Sequence, residues 1–319
     1  MATNNSKPMK ISPNMKKNKS LQSGNQLPIF LGCVIMAMAI VMTSFINFDL
    51  PFDGVIRNES GAVINQPTQM TDNYRFQIAR GAIPGAAPVF MTANNGAVGS
   101  TAETIWNVGG LYPWPTTGVQ LSFVSDDADD TLGGTGANIV LVEGLDINYD
   151  IILEAVTMNG TTPVNTTQDF YRINNVIVIN AGTTETNEGT IDITHNGNIV
   201  SRITAGEGQD QQAVYSVPAN HTLFTGTFSV SSGKDDEVEV DAWIKTNITG
   251  VWFLSSRTYA YQNTWTFENY NEFPFPEKTD IDIRTQKTQV GASAKVTSVL
   301  ELFVVPNSYL EELNSKVIY

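Results

Sequence analysis

Four carboxylates crowd one short stretch of the chain: Asp126, Asp127, Asp129 and Asp130. Hard cations take oxygen ligands, so calcium is the ion such a group would suit. The stretch lacks the ligand spacing and terminal Glu of a helix–loop–helix calcium site, and acids ending a strand at a solvated turn explain it equally. Calcium at these four residues is the one cofactor reading the sequence offers. Asp235-Asp236-Glu237, after Ser231-Ser232-Gly233-Lys234, reads as a charged hairpin tip. His195 and His221 are the only histidines, and both stand in turn sequences. A transition-metal site built on them would need distant carboxylates. No Gly-x-Ser-x-Gly elbow supports a serine triad, and abundant acids do not by themselves define a glycosidase pair. The expectation is a protein with no catalytic residues.

The aromatic residues form a second group with chemical potential. Trp243, Trp252, Tyr259, Trp265 and Tyr270 lie in the C-terminal third, with Phe253, Tyr261, Phe267, Phe273 and Phe275 among them. Rings in a row can stack on sugars. They also serve as β core and as oligomer interface, which is their commoner use.

The elements that must position these residues are short strands. Val119-Gln-Leu-Ser-Phe-Val124 runs into the four aspartates. Ile139–Val142 and Ile151–Met158 flank Gly, Asp and Asn residues and read as a hairpin, closed at Asn159-Gly160. Phe170 to Ile179, Thr190 to Thr194, Val238 to Ile244 and Ala294 to Val305 supply further strands. The Val238–Ile244 run alternates in period two, the mark of a half-buried strand. The Gly/Ala/Pro-rich stretch 80–101 reads as extended surface chain. No strand–helix–strand alternation occurs. The fold class is therefore expected to be mainly β, an antiparallel β-sandwich or jelly-roll body, in two sandwich units with one N-terminal helix.

That helix is expected over residues 29–46, eighteen apolar or small residues without a charge. Lys7, Lys10, Lys16, Lys17 and Lys19 precede it without any acid, as in a signal anchor with its N-terminus inside. A helix of that length covers about 27 Å, close to a hydrocarbon layer of about 30 Å. A cleaved signal and a segment buried within protein or particle are the alternatives. The chain divides on this reading into a lysine-containing tail (1–28), the apolar helix (29–46), a linker and arm (47–103), a first β domain (104–204), a second (205–305) and a C-terminal segment (306–319). That last segment reads as one helical turn or two.

The 319 residues carry a formal charge of −14, and without the five N-terminal lysines 13 basic residues face 32 acidic ones, or −19. A body this acidic repels phosphate backbones, which argues against nucleic-acid binding by the main body. The one cysteine, Cys33, excludes an internal disulfide. Asn58, Asn159, Asn165, Asn220 and Asn247 begin glycosylation-type triplets, as expected by chance in a chain so rich in Asn and Thr.

Several stretches, taken in order, resemble a group of tailed-phage virion proteins known largely from marine phages. They are Tyr74-Arg-Phe-Gln-Ile-Ala-Arg-Gly81, Glu103-Thr-Ile-Trp-Asn-Val-Gly-Gly-Leu-Tyr112, Asp130-Thr-Leu-Gly-Gly-Thr-Gly-Ala137 and Val142-Glu-Gly-Leu-Asp-Ile-Asn-Tyr149. Thr157-Met-Asn-Gly-Thr-Thr162, Ala205-Gly-Glu-Gly-Gln209, Ala213-Val-Tyr-Ser-Val-Pro218 and Phe275-Pro-Glu-Lys-Thr-Asp-Ile-Asp282 continue the series. The resemblance spans about residues 74–305. It implies a structural role in a virion and carries over no catalytic residue. The apolar run at 29–46 departs from that group and fits a virus with an internal membrane, or a large virus of algae.

The leading expectation is a capsid or capsid-associated protein that forms homo-oligomers, a trimer or lattice component, alongside other capsid proteins. It would reside in the virion, with membrane contact through residues 29–46. A fibre-like attachment module binding host glycans through the C-terminal aromatics is the alternative. A carboxylate-pair glycan hydrolase is the remote one.

Overall fold

The computed structural model describes residues 74–233, 236–261, 264–268, 274–289 and 291–310. The tail and apolar run expected over residues 1–46 lie outside the described residues. Among those described, no helix is long and apolar enough to cross a membrane. Residues 307–310 are helical.

One helix, α1 (Tyr74–Ala79), precedes the strands, which form four antiparallel sheets. Sheet I runs β1 (Ala87–Val98), β17 (Ala294–Pro306), β11 (His221–Ser232), β14 (Thr264–Glu268), with β15 (Pro274–Phe275) also on β11. Sheet II runs β10 (Val214–Ser216), β16 (Asp280–Lys287), β12 (Glu237–Lys245), β13 (Trp252–Tyr261), with β2 (Glu103–Thr104) on β16. Sheet III runs β6 (Val164–Phe170), β3 (Val119–Ser125), β8 (Ile191–His195), β9 (Asn198–Ile203). Sheet IV runs β5 (Ile151–Thr157), β4 (Ala137–Leu145), β7 (Arg172–Ala181). The chain is mainly β.

Alternation in the sequence explains most of these strands. In β8, Ile191, Ile193 and His195 turn inward while Asp192 and Thr194 stay half-exposed. In β17, Ala294, Val296, Ser298, Leu300 and Leu302 are buried, while Lys295, Thr297 and Glu301 are exposed. The β8–β9 turn is Asn196-Gly197, both at positive φ (49° and 80°), the two-residue turn whose twist suits a hairpin. The expected β4–β5 hairpin forms over seven residue pairs. Its loop is fixed by Asp146, whose Oδ1 accepts the Asn148 and Asp150 amides at 2.8 and 2.9 Å.

Two readings of the sequence need correction. The Gly/Ala/Pro-rich stretch 80–101, expected as extended surface chain within the arm 47–103, contains the twelve-residue strand β1, and the helix α1 ends just before it. β1 pairs with β17 from Ala87↔Val304 to Val98↔Ala294. Its small residues hide a buried face of Met91, Ala93 and Val98. The strand expected from Phe170 to Ile179 forms from Arg172 onward, and Phe170 instead ends β6. The chain leaves sheet III after Phe170 and enters sheet IV at Arg172, with Tyr171 as the corner.

Two large cores result. One joins sheets I and II and includes Met91, Val98, Val230, Val238, Val240, Ile283, Val296 and Leu300. The other joins sheets III and IV around Leu121, Phe123, Val140, Val142, Phe170, Ile173, Val176, Ile191 and Ile193. The segment 208–217 belongs to both sides. The Val178 amide donates to the Gly208 carbonyl and the Asp210 amide to Val176, holding the segment to β7. The Ala213 amide donates to Ile105, and β10 then pairs with β16. Asn174 of β7 closes the other edge of β10: its side chain both donates to and accepts from the Ser216 backbone, at 2.9 and 3.0 Å.

Candidate functional site

The four aspartates of the first candidate site do not converge on one point. Asp130 is fully buried, and its carboxylate takes four donors: the Ser125 hydroxyl (2.6 Å) and the amides of Ala137 (2.7 Å), Glu188 (2.8 Å) and Gly189 (2.9 Å). It is the knot that ties the loop after β3 to the loop before β8. Gly136 is needed there because a Cβ would collide with Asp130 Oδ1. Asp126 accepts the Thr190 amide at 2.7 Å, and Asp127 accepts the Asp129 amide at 2.8 Å in a local side-chain turn.

Asp127 and Asp129 do approach a third acid, Glu188, with one carboxylate oxygen of each within 4.8 Å of the others. Among the described residues these three could share a hard cation. Glu188 is absent from the sequence reading because it arrives from a loop remote in the chain. Its side chain accepts the Thr135 hydroxyl at 2.5 Å.

The aromatic candidates are better assembled. Antiparallel register places Trp243 opposite Leu254 and opposite Asp282, and Lys245 opposite Trp252. Paired residues share a face, so Trp243, Trp252, Leu254, Tyr259 and Tyr261 occupy the outer face of sheet II. An irregularity between Ala242 and Trp243 keeps both ends of β13 on that face. Arg284 of β16 lies between the two indoles, 5.0 Å from the Trp243 ring centroid and 5.4 Å from that of Trp252. Its Nε donates to Asp282 at 2.9 Å. Burial pushes the Asp282 carboxyl up, while Arg284, Thr104 and Trp114 hold the charged form with hydrogen bonds.

Further along the same face, Arg257 grips Asp241 through two hydrogen bonds (2.7 and 2.8 Å), and the Tyr259 hydroxyl donates to Glu239 at 2.9 Å. The side chain of Trp265 and all of Tyr270 lie outside what the structure describes.

Rings from earlier in the chain extend the cluster. Trp114 lies 5.0 Å from Trp252 and 4.9 Å from Tyr112, which in turn lies 5.2 Å from Trp106. Beside them, Arg172 is enclosed by Trp114, Tyr149 and Tyr171 and pairs with Asp280. No sequence motif announces this set, because its members meet only once the chain has folded. His195 is buried at the end of β8, its Nε2 2.9 Å from the Thr117 carbonyl and 3.2 Å from that of Phe170. His221 Nδ1 lies 2.7 Å from the Ala219 carbonyl.

Exposed apolar side chains border this aromatic face. β13 is the last strand of sheet II, and no further strand pairs beyond it among the described residues. Phe253 and Leu254 are each 40% exposed, and Tyr259 and Tyr261 each 52%. The loop leading in adds Ile248 and Val251, both exposed. An edge strand normally carries charge or a covering element to prevent pairing with another chain, whereas β13 presents, beside the charge of Arg257 paired to Asp241, rings and aliphatic groups.

No family model and no curated protein matches the chain. Among solved structures, PBSX exported protein XepA is similar over 67% of this chain and 86% of its own, at 12% identity and a TM-score of 0.17. The VP2 subviral particle of infectious bursal disease virus is similar over 70% of this chain and 73% of its own, at 11% identity and a TM-score of 0.20. At such scores the likeness carries no argument about mechanism or partners.

Proposed function

We propose that this protein is a non-enzymatic structural component of a virus particle, capsid or capsid-associated, that assembles with further copies of itself. The observation that carries the reading is β13: a sheet-terminal strand that exposes Leu254, Tyr259 and Tyr261 on one face and Phe253 on the other, continued by Ile248 and Val251. An exposed edge strand carrying apolar groups of this kind favours a partner that covers it. The ordered resemblance of residues 74–305 to phage virion proteins supports the same role, as does the pairing of two sheets around each core, which we read as two sandwich-like units suited to a shell. The aromatics Trp243 and Trp252 are held against Arg284 and Trp114, a use that favours scaffold over ligand platform.

Sedimentation velocity on the full chain in mild detergent tests the assembly. A discrete oligomer is expected, and Phe253→Lys combined with Leu254→Lys should shift it to monomer. A wild-type chain that stays monomeric at high concentration would overturn this part of the reading. Cryo-electron microscopy of the intact particle would place the protein in the shell or elsewhere.

A second reading, attachment to host glycans, draws on the exposed rings of Tyr259 and Tyr261. Saturable binding on a glycan array, lost on Tyr259→Ala and Tyr261→Ala, would favour it.

A further inference from the structure

A cavity of about 440 Å³ lies between sheet I and the segment that links the two cores. One wall is apolar and includes Val89 of β1 and Val304 of β17; the other carries Glu143, Asp210, Gln212 and Tyr215. Gln212 is 4% exposed, and neither its amide nitrogen nor its amide oxygen has a hydrogen-bond partner among the described residues. A buried amide with both ends unsatisfied costs several kcal/mol, on the order of two lost hydrogen bonds, so such groups in native proteins face something that binds them.

The charge of the wall limits what that something is. Among the described residues Glu143 has no hydrogen bond or ion pair, and Asp210 accepts from the Ser201 hydroxyl (2.9 Å) and from backbone amides. No Lys or Arg is among the described residues around the cavity; His221, the basic side chain in its lining, has Nδ1 2.7 Å from the Ala219 carbonyl. We propose that this cavity is a binding site for a small aliphatic amine, its ammonium donating to Asp210, Glu143 and the Gln212 oxygen and its methylenes lying on Val89 and Val304. An ammonium supplies donors, which acceptor-only carboxylates need, and a short alkyl chain suits the apolar wall. Burial pushes the Asp210 carboxyl up to about 7 and raises that of Glu143.

The site goes beyond the structural role and does not depend on it. Isothermal titration of the full chain with 1,4-diaminobutane and 1-aminobutane, with butane-1,4-diol as the neutral control, tests it. The amines should bind saturably, one per chain, and the diol should not. Gln212→Leu and Asp210→Asn should each weaken amine binding at least tenfold. Glu143→Gln, at the half-buried wall and nearly isosteric, serves if those variants do not fold, and should weaken binding similarly. Absence of saturable amine binding, equal binding of the diol, or unchanged affinity in all folded variants would overturn the proposal.

Discussion

Arg172 and Asp280, 108 residues apart in the chain, form a two-pronged ion pair with both side chains 2% exposed. The guanidinium donates through Nε (2.9 Å) and Nη2 (2.8 Å), and its Nη1 reaches the carbonyl of Pro115 at 2.7 Å. Asp280 also accepts the Ser216 hydroxyl at 2.6 Å. Every polar atom of the pair is occupied by strands and loops of different sheets. Removing one partner leaves a buried charge, which costs about 3–5 kcal/mol. Arg172→Met should lower stability by that order in urea denaturation. Arg202→Met should cost under about 1 kcal/mol, since the Arg202–Asp192 pair is 26% and 28% exposed.

Asp130 predicts a second large loss. Replacing it with Ala strands three buried or half-buried amides and a hydroxyl, so Asp130→Ala should cost at least about 2 kcal/mol. Asp127→Ala, which removes one local turn bond at a half-exposed position, should change thermal stability far less. Similar losses for both would show that the loop is not tied through Asp130.

Gly144 predicts a steric effect. A Cβ there would collide with the Arg172 carbonyl and lie 2.7 Å from the Phe170 ring, at the corner where the chain passes from sheet III to sheet IV. Gly144→Ala should destabilise by about 1–3 kcal/mol. Chemical denaturation reads it directly, and a neutral result would mean the corner is loosely packed.

Asp210 predicts a pH dependence. Burial holds its carboxyl at about 7 against an ordinary 3.8; the Ser201 hydroxyl works against that shift, and Tyr112 is the titratable neighbour coupled to it. Below about pH 4 the folded and unfolded chains both carry the proton, and the group contributes nothing. As pH rises toward 7 the unfolded chain ionises first, so stability falls across that window and stays lower above it. Asp210→Asn should flatten this decline, making the variant more stable than wild type at pH 8 and nearly equal at pH 4. Melting temperatures at the two pH values check it.

Local patterns were legible where a strand has one wet face. The alternation of Ile191 to His195 and Val238 to Ile244, and the Asn196-Gly197 turn, announce their elements because period and turn chemistry act over a few residues. β1 escaped notice because Ala, Gly and Asn carry little apolar signal, and its strand character comes from β17, some two hundred residues later. The corner at Tyr171 was hidden for the opposite reason: a continuous β-prone run gives no sign that its first residue, Phe170, ends a strand of a different sheet. The aspartate group was visible as a cluster, yet its members divide by burial, and Glu188 joins Asp127 and Asp129 only through the fold. The indoles Trp243 and Trp252 were legible as a group, whereas Arg284, which lies between them, was not.

The segment 208–217 is bonded along one side to β7 and along the other to Ile105 and β16. It therefore behaves as a tie rod. Tension that would part the two cores must shear several parallel backbone bonds together instead of opening them one at a time like a zip. In a shell that swells or bears pressure from within, a subunit joined in this way would yield at its contacts with neighbours before it came apart in the middle.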